Sequence, residues 1–326
     1  MEQDDRAVRE PVGERLVVEP RLSTWSFYDV LLDWLEEHHP GVRSRFELRL
    51  LPTRVRNWAP YRLHVPWLQD PVQAWSPRDY RRSNRLATAC DAHGVPIVNR
   101  VDRLVNASKG SGAGLIASAG LLTARCVPIQ DAGHLEAIRA ELGLPLIVRE
   151  NWHHGGAIVL LETDRQLRSL DLTRFRRPIA LEFVDVQSDD GLYRKYRYVL
   201  AGALGVRKSM HVTEGWLVHG YNTVYSEAYR DEEIAYLAAP EPEHDRFQAA
   251  RDALGLDFLA FDYSYTRDGR PIVWEANPYP LLHFIGGRRT YRDGATARVL
   301  GAVATLYLET AGLPVPTGLR DPSDLE

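Results

Sequence analysis

One β-hairpin in the C-terminal quarter of the chain constrains its fold more than any other feature. Residues 259–265 are rich in strand-forming side chains, and residues 271–277 form a matching second strand. Asp268-Gly269 lies between them, a dipeptide typical of two-residue hairpin turns. The sequence therefore predicts two antiparallel neighbouring strands with a defined register.

This register places three oxygen-bearing side chains on one face of the hairpin. With Asp268 and Gly269 as the turn residues, Asp262 lies directly opposite Glu275, with the two Cβ atoms about 5 Å apart. Asn277 follows Glu275 by two residues and therefore points to the same face of its strand.

Two like charges in direct opposition destabilise a hairpin unless something neutralises them. One carboxyl could be protonated, or both could lie in solvent. Apolar neighbours argue against bulk solvent; they are Leu259, Phe261, Val273 and Trp274. A divalent cation resolves the conflict, and Mg²⁺ suits two carboxylates and an amide because it prefers oxygen ligands. We therefore expect Asp262, Glu275 and Asn277 to be metal ligands.

A glycine loop in the middle of the chain is the second candidate feature. It joins predicted strands at 144–149 and 157–161 and contains Gly155 and Gly156. Glycine allows backbone N–H groups to approach phosphates closely, and Arg149 at the strand end can supply a positive charge. The loop could equally be a simple turn. A metal site at His153 and His154 is disfavoured because adjacent residues in an extended loop rarely point the same way.

The order of predicted elements indicates two kinds of architecture. Helices at 28–39 and 78–93 alternate with short strands at 16–18, 46–51 and 95–99, which predicts a small α/β domain. The stretch Trp58–Pro77 is interpreted as a loop whose aromatic side chains either line a cleft or cover the core. Beyond residue 105, a helix ending at Gly120 is followed by paired strands and further helices, which predicts an α+β domain.

Composition excludes several function classes. The net charge is −4 and the charges are mixed, so no basic stripe for nucleic acid is present. Cys90 and Cys126 lie far apart without metal-ligand spacing, so we expect two buried thiols. The first residues lack the basic and apolar regions of a secretory signal, and no apolar run could span a membrane, so we expect a cytoplasmic protein.

Together these residues resemble the ATP-grasp family of carboxylate–amine ligases, which carries an Asp on one strand and Glu-x-Asn on the next. Further segments match the family in the same order. They are Lys109 on an entry helix, Arg149 as a second phosphate ligand, His154-Gly155-Gly156 as the phosphate flap, Glu182-Phe183-Val184-Asp185 as the adenine hinge, and Arg197 near the transferred phosphate. Arg149 stands where the family usually has Lys.

The resemblance implies an ATP-grasp fold of class α+β, with two subdomains clasping ATP behind a small N-terminal α/β domain. The expected limits are 1–104 for that domain, 105–178 and 179–312 for the two subdomains, and 313–326 for a tail. It also implies ATP with Mg²⁺ (two ions, with Mn²⁺ as a substitute) bound by Asp262, Glu275 and Asn277.

The resemblance further implies the reaction. A substrate carboxylate is phosphorylated by ATP to an acylphosphate, and an amine then displaces phosphate to form an amide. Two alternatives stay open, namely a kinase that stops at phosphoryl transfer and a nucleotide-binding protein without turnover. The expected partners are a small-molecule or peptide carboxylate and an amine acceptor, and a homodimer is possible.

The acceptor side of the site is weakly marked in the sequence. Lys195 and Arg197 share one face of a predicted strand, where they either bind a substrate carboxylate or form a solvated edge. Other candidates for the same cleft are Arg207, Lys208, His211, His219 and His283.

Overall fold

The structure is a computed structural model that describes residues 15–20, 27–51, 53–68, 72–151, 157–284 and 287–320. The N-terminal part contains three strands and four helices. They are β1 (Arg15–Pro20), α1 (Phe27–His38), α2 (Pro40–Arg43), β2 (Phe46–Leu48), β3 (Tyr61–Trp67), α3 (Val72–Trp75) and α4 (Pro77–Ala92). The strands form a parallel sheet in the order β2-β1-β3.

Two expectations for this part were wrong. Trp58–Pro77 is not a loop, because it contains β3 and α3. Its aromatic side chains do cover the core: Trp67 is buried and stacks on Phe258, with 5.9 Å between ring centroids. The strand expected at 95–99 is reduced to one bridge between Ile97 and His64.

The middle part is built around a four-stranded sheet. Its elements are α5 (Lys109–Ser118), β4 (Leu122–Thr123), β5 (Cys126–Pro128), α6 (Ala132–Leu142), β6 (Leu146–Glu150), β7 (Ile158–Leu161), α7 (Asp164–Arg168) and β8 (Pro178–Glu182). The order β5-β8-β6-β7 is antiparallel throughout. We expected the strands after α5 to pair with each other, but β5 pairs with β8 and β4 pairs with a strand of the C-terminal part.

The C-terminal part supplies the second large sheet. Its elements are β9 (Tyr193–Ala201), β10 (Leu204–Thr213), α8 (Glu227–Ala238), α9 (His244–Leu254), β11 (Phe258–Tyr265), β12 (Pro271–Asn277) and α10 (Asp293–Thr310). Short 3-10 helices cover Val101–Ala107, Leu172–Arg174 and Gly287–Arg292. The sheet has the order β10-β9-β11-β12-β4, so β9 and β11 are interior strands. The mixture confirms the α+β class.

Helix α10 joins the N-terminal sheet to the five-stranded sheet. It is apolar and buried almost all round, as expected of a helix enclosed on every side. Its residues form one core cluster with Leu63 and Val65 of β3 and with Val199 of β9. Asn99 fixes the same junction, because its side-chain oxygen accepts hydrogen bonds from the Asp257 and Phe258 backbone at the start of β11. The charged strands of the C-terminal sheet are therefore held on a rigid base.

The hairpin β11–β12 has the predicted pairing of Asp262 with Glu275, but its turn differs from the predicted two-residue turn. Asp262 is opposite Glu275, as predicted. The loop, however, has three residues rather than two, because Thr266 N donates to Arg270 O and Gly269 lies at φ +78°. A β-bulge beside Asp262 then adds one residue on β12, so the two deviations cancel at the carboxylate pair.

Neither a disulfide nor a membrane span is found in the described residues. Cys90 is a buried free thiol and Cys126 a half-buried one. None of the helices there reaches the length and apolar character needed to cross a bilayer.

Candidate functional site

The carboxylate of Asp262 is held by two cations from the neighbouring strand. Arg197 Nε donates to Asp262 Oδ1 at 2.7 Å and Nη2 donates to Oδ2 at 3.0 Å. Lys195 Nζ lies 3.3 Å from Oδ2. Burial raises the pKa of Asp262, but the two cations outweigh it and leave the pKa below its usual value. Asp262 is therefore ionised at neutral pH.

These contacts settle where Lys195 and Arg197 lie. Strand β9 runs between β10 and β11, and Arg197 is the register partner of Asp262. The alternative of a solvated sheet edge is therefore wrong. Both cations converge on the carboxylate pair, which they neutralise in part.

The second carboxylate faces the entry helix. Lys109 is the first residue of α5, capped by Ser108, and its Nζ lies 4.0 Å from Glu275 Oε2. Asn151 holds this helix end from the four-stranded sheet, since its side-chain oxygen accepts from Gly110 N at 2.9 Å. Lys109 is thereby fixed beside Glu275, with its side chain almost fully buried.

Asn277 lies at the end of β12, opposite Ala260, and is buried. Its side-chain oxygen accepts a hydrogen bond from Tyr279 N at 2.9 Å. The amide group is therefore fixed by the backbone that follows it. It lies two residues beyond Glu275, on the strand end next to the carboxylate pair.

Arg149 is the cation that the four-stranded sheet contributes to the cleft. Its Nε is enclosed and has no hydrogen-bond partner among the described residues. Burial lowers the pKa of its guanidinium, and the nearby Glu275 carboxylate partly offsets that effect. An enclosed donor without a partner is costly to keep, and at Arg149 it lines the cleft.

An apolar cleft of about 820 Å³, including the part open to solvent, lies between the two large sheets. The four-stranded sheet and the segment after it contribute Ile147, Arg149, Ile158, Leu181, Phe183, Val184 and Val186. The other wall contributes Tyr193, Lys195, Trp216, Leu217, Val218, Asp262, Ser264, Trp274 and Glu275. The lining therefore combines four charged side chains with a large apolar surface.

The predicted hinge is only partly in the cleft. Phe183 and Val184 line it, with Trp216 packed edge-on against Phe183 at 6.1 Å. The Glu182 carboxylate instead accepts from Arg125 Nε at 3.1 Å. Asp185 accepts from its neighbour Gln187 N at 3.0 Å and also contacts Arg267. The two acidic side chains of the hinge are thus engaged outside the cleft.

Two β-bulges re-aim side chains that the sequence did not place. The bulge on β12 puts Trp274 in the cleft, where its indole N–H donates to Ser264 Oγ at 2.8 Å. A second bulge, on β10, lies at Lys208.

The remaining acceptor candidates separate into two groups. Lys208 lies within electrostatic range of Arg197 and Arg292, and His211 is the register partner of Lys195. His219 is near Lys195, and His283 is near Lys208. Arg207 is not in this group, because it pairs with the buried carboxylate of Glu241 at 3.0 Å.

The flap residues His154, Gly155 and Gly156 lie outside the described residues, as do Trp152 and His153. In the part that is described, no three His, Cys, Asp or Glu side chains come together as a metal-binding group. The predicted set instead pairs two carboxylates with one amide. Those donors fit Mg²⁺, and the surrounding cations fit phosphate oxygens.

Comparison with protein-family models gave no match, and comparison with curated protein sequences gave none either. Comparison with solved structures gave matches along nearly the whole chain. The ATP-grasp ligase PsnB, in complex with a minimal precursor, Mg and ADP, has a TM-score of 0.56 and 15% identity over 93% of this chain and 100% of its own.

Two further structures have the same relation to the chain. The macrocyclase MdnC from Microcystis aeruginosa, bound to the precursor peptide MdnA, has a TM-score of 0.57 and 11% identity over 90% of this chain and 99% of its own. D-alanine–D-alanine ligase from Bacillus anthracis, complexed with ATP, has a TM-score of 0.54 and 12% identity over 92% and 97% of the two chains. At such identities the likeness concerns the fold alone.

Proposed function

We propose, from the premise that this chain has the ATP-grasp fold, that it is an ATP-dependent ligase which activates a substrate carboxylate and couples it to an amine. The observation that carries the proposal is the Asp262–Glu275 pair. Two opposed carboxylates line a largely apolar cleft, with Lys109, Lys195 and Arg197 around them. An enclosed pair of like charges is retained where a site binds metal and phosphate.

Asp262, Glu275 and Asn277 are the residues that would hold Mg²⁺, which neutralises phosphate charge when bound. Lys109, Arg149 and Arg197 would clamp the phosphate oxygens by charge-assisted hydrogen bonds. The ion pairs of Asp262 with Arg197 and Lys195 leave both cations close to that position. In phosphoryl transfer the protein contributes mainly positioning and electrostatic stabilisation, and a ring of fixed cations supplies both.

The apolar half of the cleft would bind the base of the nucleotide. Among the described residues, the backbone N–H and C=O groups of Phe183 and Val184 make no backbone hydrogen bond, so they are available to an adenine edge. Leu181 and Trp274 lie at the same cleft and offer flat apolar contacts. We place the adenine there and the phosphates toward Lys109 and Arg149.

The substrates follow from the neighbours only as a proposal. PsnB and MdnC were determined with precursor peptides, and the third neighbour joins two alanines. We therefore propose an amino acid or peptide as the source of the carboxylate and of the amine. Attack of the carboxylate on the γ-phosphorus forms an acylphosphate and releases ADP. The amine nitrogen then attacks the acyl carbon, phosphate leaves, and the amine loses a proton. Homodimerisation stays a prediction.

Pools of amino acids and peptides, incubated with the protein and Mg-ATP, test this function. We expect ADP release that depends on the added carboxylate, together with a product whose mass is that of two substrates less one water. A phosphorylated product without coupling would instead indicate a kinase. ADP release that needs no carboxylate, or none under any condition, would contradict the proposal.

A further inference from the structure

The chain uses lysine very sparingly. Of its 40 Lys and Arg residues only three are Lys, and the other 37 are Arg. All three lie near the carboxylate pair: Lys109 beside Glu275, Lys195 beside Asp262, and Lys208 beside Arg197. Lysine differs from arginine in carrying a compact charge that loses its proton readily when buried. Lys208 is the one of the three for which the proposed nucleotide site supplies no role.

Lys208 is brought to this place by the bulge on β10. In the ladder between β9 and β10, His211 lies opposite Lys195 and Ser209 opposite Arg197. Lys208 is the extra residue between Ser209 and the next pair. Bulges re-aim a side chain without altering the rest of a strand, and they occur often beside active sites.

The side chain of Lys208 is largely buried and lies within electrostatic range of charged groups of both signs. The residue is 5% exposed, and its electrostatic neighbours are Arg197 and Arg292 on the positive side. Glu233 and Asp293 are the neighbouring carboxylates. His283 also faces it from the loop after β12.

The neighbouring charges are already engaged with each other. Arg197 is bound to Asp262, and Arg292 donates to Glu233 Oε2 at 2.8 Å. Glu233 accepts in addition from Tyr291 O–H at 2.7 Å and from Met210 N at 2.9 Å. Lys208 itself has neither a hydrogen bond nor an ion pair within the described ranges. Because Glu233 is already bound by other donors, it offsets the buried Lys208 charge only in part, and a bound anion would recover free energy.

The position of Lys208 along the sheet favours a carboxylate as that anion. Along the charged wall, Tyr193 and Trp274 line the apolar part, and Asp262 with Glu275 follows. Lys208 directly precedes Ser209, which pairs with Arg197, and Tyr193 pairs with Thr213 farther along β10. Lys208 and Tyr193 therefore lie on opposite sides of Arg197 along the strands. Lys208 is thus on the far side of the Asp262–Arg197 pair from Tyr193, and an acyl group bound there is adjacent to the proposed phosphate positions.

We infer that Lys208 is the binding group for the substrate carboxylate that becomes phosphorylated, an inference that rests on the proposed ligase function. The ammonium holds one carboxylate oxygen beside Arg197 and leaves the other oxygen free to attack the γ-phosphorus. It keeps the same contact with the acyl group after transfer. A single compact charge matches a monocarboxylate, whereas the forked guanidinium of an arginine would bind both oxygens.

The scarcity of lysine permits a direct test on the full-length protein. Lysine labelled with ¹³C at Cε gives three side-chain signals, assigned by the single variants Lys109→Arg, Lys195→Arg and Lys208→Arg. Acetate is the probe, acetamide is the neutral control of the same shape, and chloride keeps the ionic strength constant. We expect acetate, and not acetamide, to shift the Lys208 signal saturably and to raise its pKa from about 8.

Lys208→Met removes the ammonium charge and keeps an unbranched side chain of similar length in the buried position. Removal of a charged hydrogen-bond donor is expected to weaken acetate binding about 10-fold to 100-fold. Amide spectra of the variant show whether it is folded. If Lys208→Met is not folded, the wild-type acetate and acetamide titrations decide alone.

Acetate that shifts the Lys195 signal and leaves that of Lys208 unchanged would overturn the inference, as would equal shifts with acetamide. Mg-ADP added to the same samples tests the proposed function separately. It should shift the Lys109 and Lys195 signals. If it shifts neither while acetate still shifts Lys208, the ligase function fails and the carboxylate site stands.

Discussion

The two walls of the cleft differ in their charge content. The wall from the five-stranded sheet carries opposed charges in direct contact, with Asp262 against Arg197 and Lys195. The wall from the four-stranded sheet is apolar apart from Arg149. The first wall therefore holds charged groups in a fixed geometry, while the second presents a surface that fits a flat apolar group.

The difference also shows in how the walls are supported. The charged strands β9 and β11 are interior strands whose far ends are packed against α10 and the N-terminal sheet. The apolar wall has its own smaller core around Leu135, Leu146 and Phe175. The groups that need accurate placement thus lie on the better-supported wall, as expected of a preorganised site.

The largest effect is expected on the charged wall. Glu275→Gln keeps the side-chain shape and removes the negative charge, so carboxylate-dependent ADP release should fall at least about 100-fold, as for loss of one electrostatic contact in a catalytic site. Asp268→Asn is the control, since Asp268 is exposed in the turn of the same hairpin. Equal activity of wild type and Glu275→Gln would show that the charge of Glu275 is not needed for the reaction.

The second prediction concerns stability and pH. Lys208 has its pKa lowered by burial and by Arg292 and Arg197 to about 8, against 10.5 for an exposed lysine. Below pH 8 the group is charged in the folded and unfolded states, so the folded state bears the full cost of burial, roughly 3 kcal/mol. Between pH 8 and 10.5 the folded protein loses the proton first, and the penalty disappears.

Lys208→Met should therefore stabilise the protein most at pH 7 and progressively less as the pH rises towards 10. Urea unfolding of wild type and variant at each pH measures the difference and cancels the titration of other groups. A stabilisation that does not change with pH would show that Lys208 is not a buried titrating cation.

The third prediction separates the apolar wall from the charged one. Arg149→Met removes a proposed phosphate ligand, so the KM for ATP should rise about 10-fold, the value of one charge-assisted hydrogen bond. The melting temperature should stay the same or rise, because Arg149 Nε is enclosed without a partner among the described residues. Arg139→Met is the control, since it breaks a half-exposed ion pair with Asp164 in the same part of the fold. A rise in KM for Arg139→Met as well would indicate a general loosening of this wall.

The smallest effect is expected in the hairpin turn. Gly269 has φ +78° and open space around the position of a Cβ, so Gly269→Ala should cost about 1 kcal/mol of stability from backbone strain alone. Gly41 lies in α2 without a positive φ, and Gly41→Ala should be neutral or stabilising. Turnover should be unchanged in both variants, and thermal unfolding with an activity assay checks this. Lost turnover in Gly269→Ala would show that the turn controls the carboxylate register.

The sequence predicted the pairing of Asp262 with Glu275 although it predicted the turn wrongly. Residues near the turn follow local preference, and Asp-Gly permits two- and three-residue loops alike. The bulge at Trp274 is set by tertiary contacts, including the hydrogen bond from its indole to Ser264, which no local pattern contains. The correct pairing depended on two deviations of opposite sign.

Elsewhere the sequence failed where burial overrides local preference. Strand β3 was not predicted because it contains Pro66 and Trp67, which also occur in loops. It forms because its side chains are buried in the core cluster that surrounds α10. The cations around Asp262 were identified from spacing within β9, but their contact with Asp262 depends on the register between strands 65 residues apart. The scarcity of lysine in the sequence would have singled out Lys208, because all but three of the 40 Lys and Arg residues are Arg.

The most direct test of carboxylate activation by ATP is to follow a labelled carboxylate oxygen. Substrate pools carrying ¹⁸O in their carboxyl groups are incubated with the protein and Mg-ATP in ordinary water, and the released phosphate is analysed by mass spectrometry. We expect phosphate containing one ¹⁸O, because the carboxylate oxygen attacks the γ-phosphorus and leaves with the phosphate. Unlabelled phosphate alongside ADP release would show that water is the attacking group, and it would contradict the central claim.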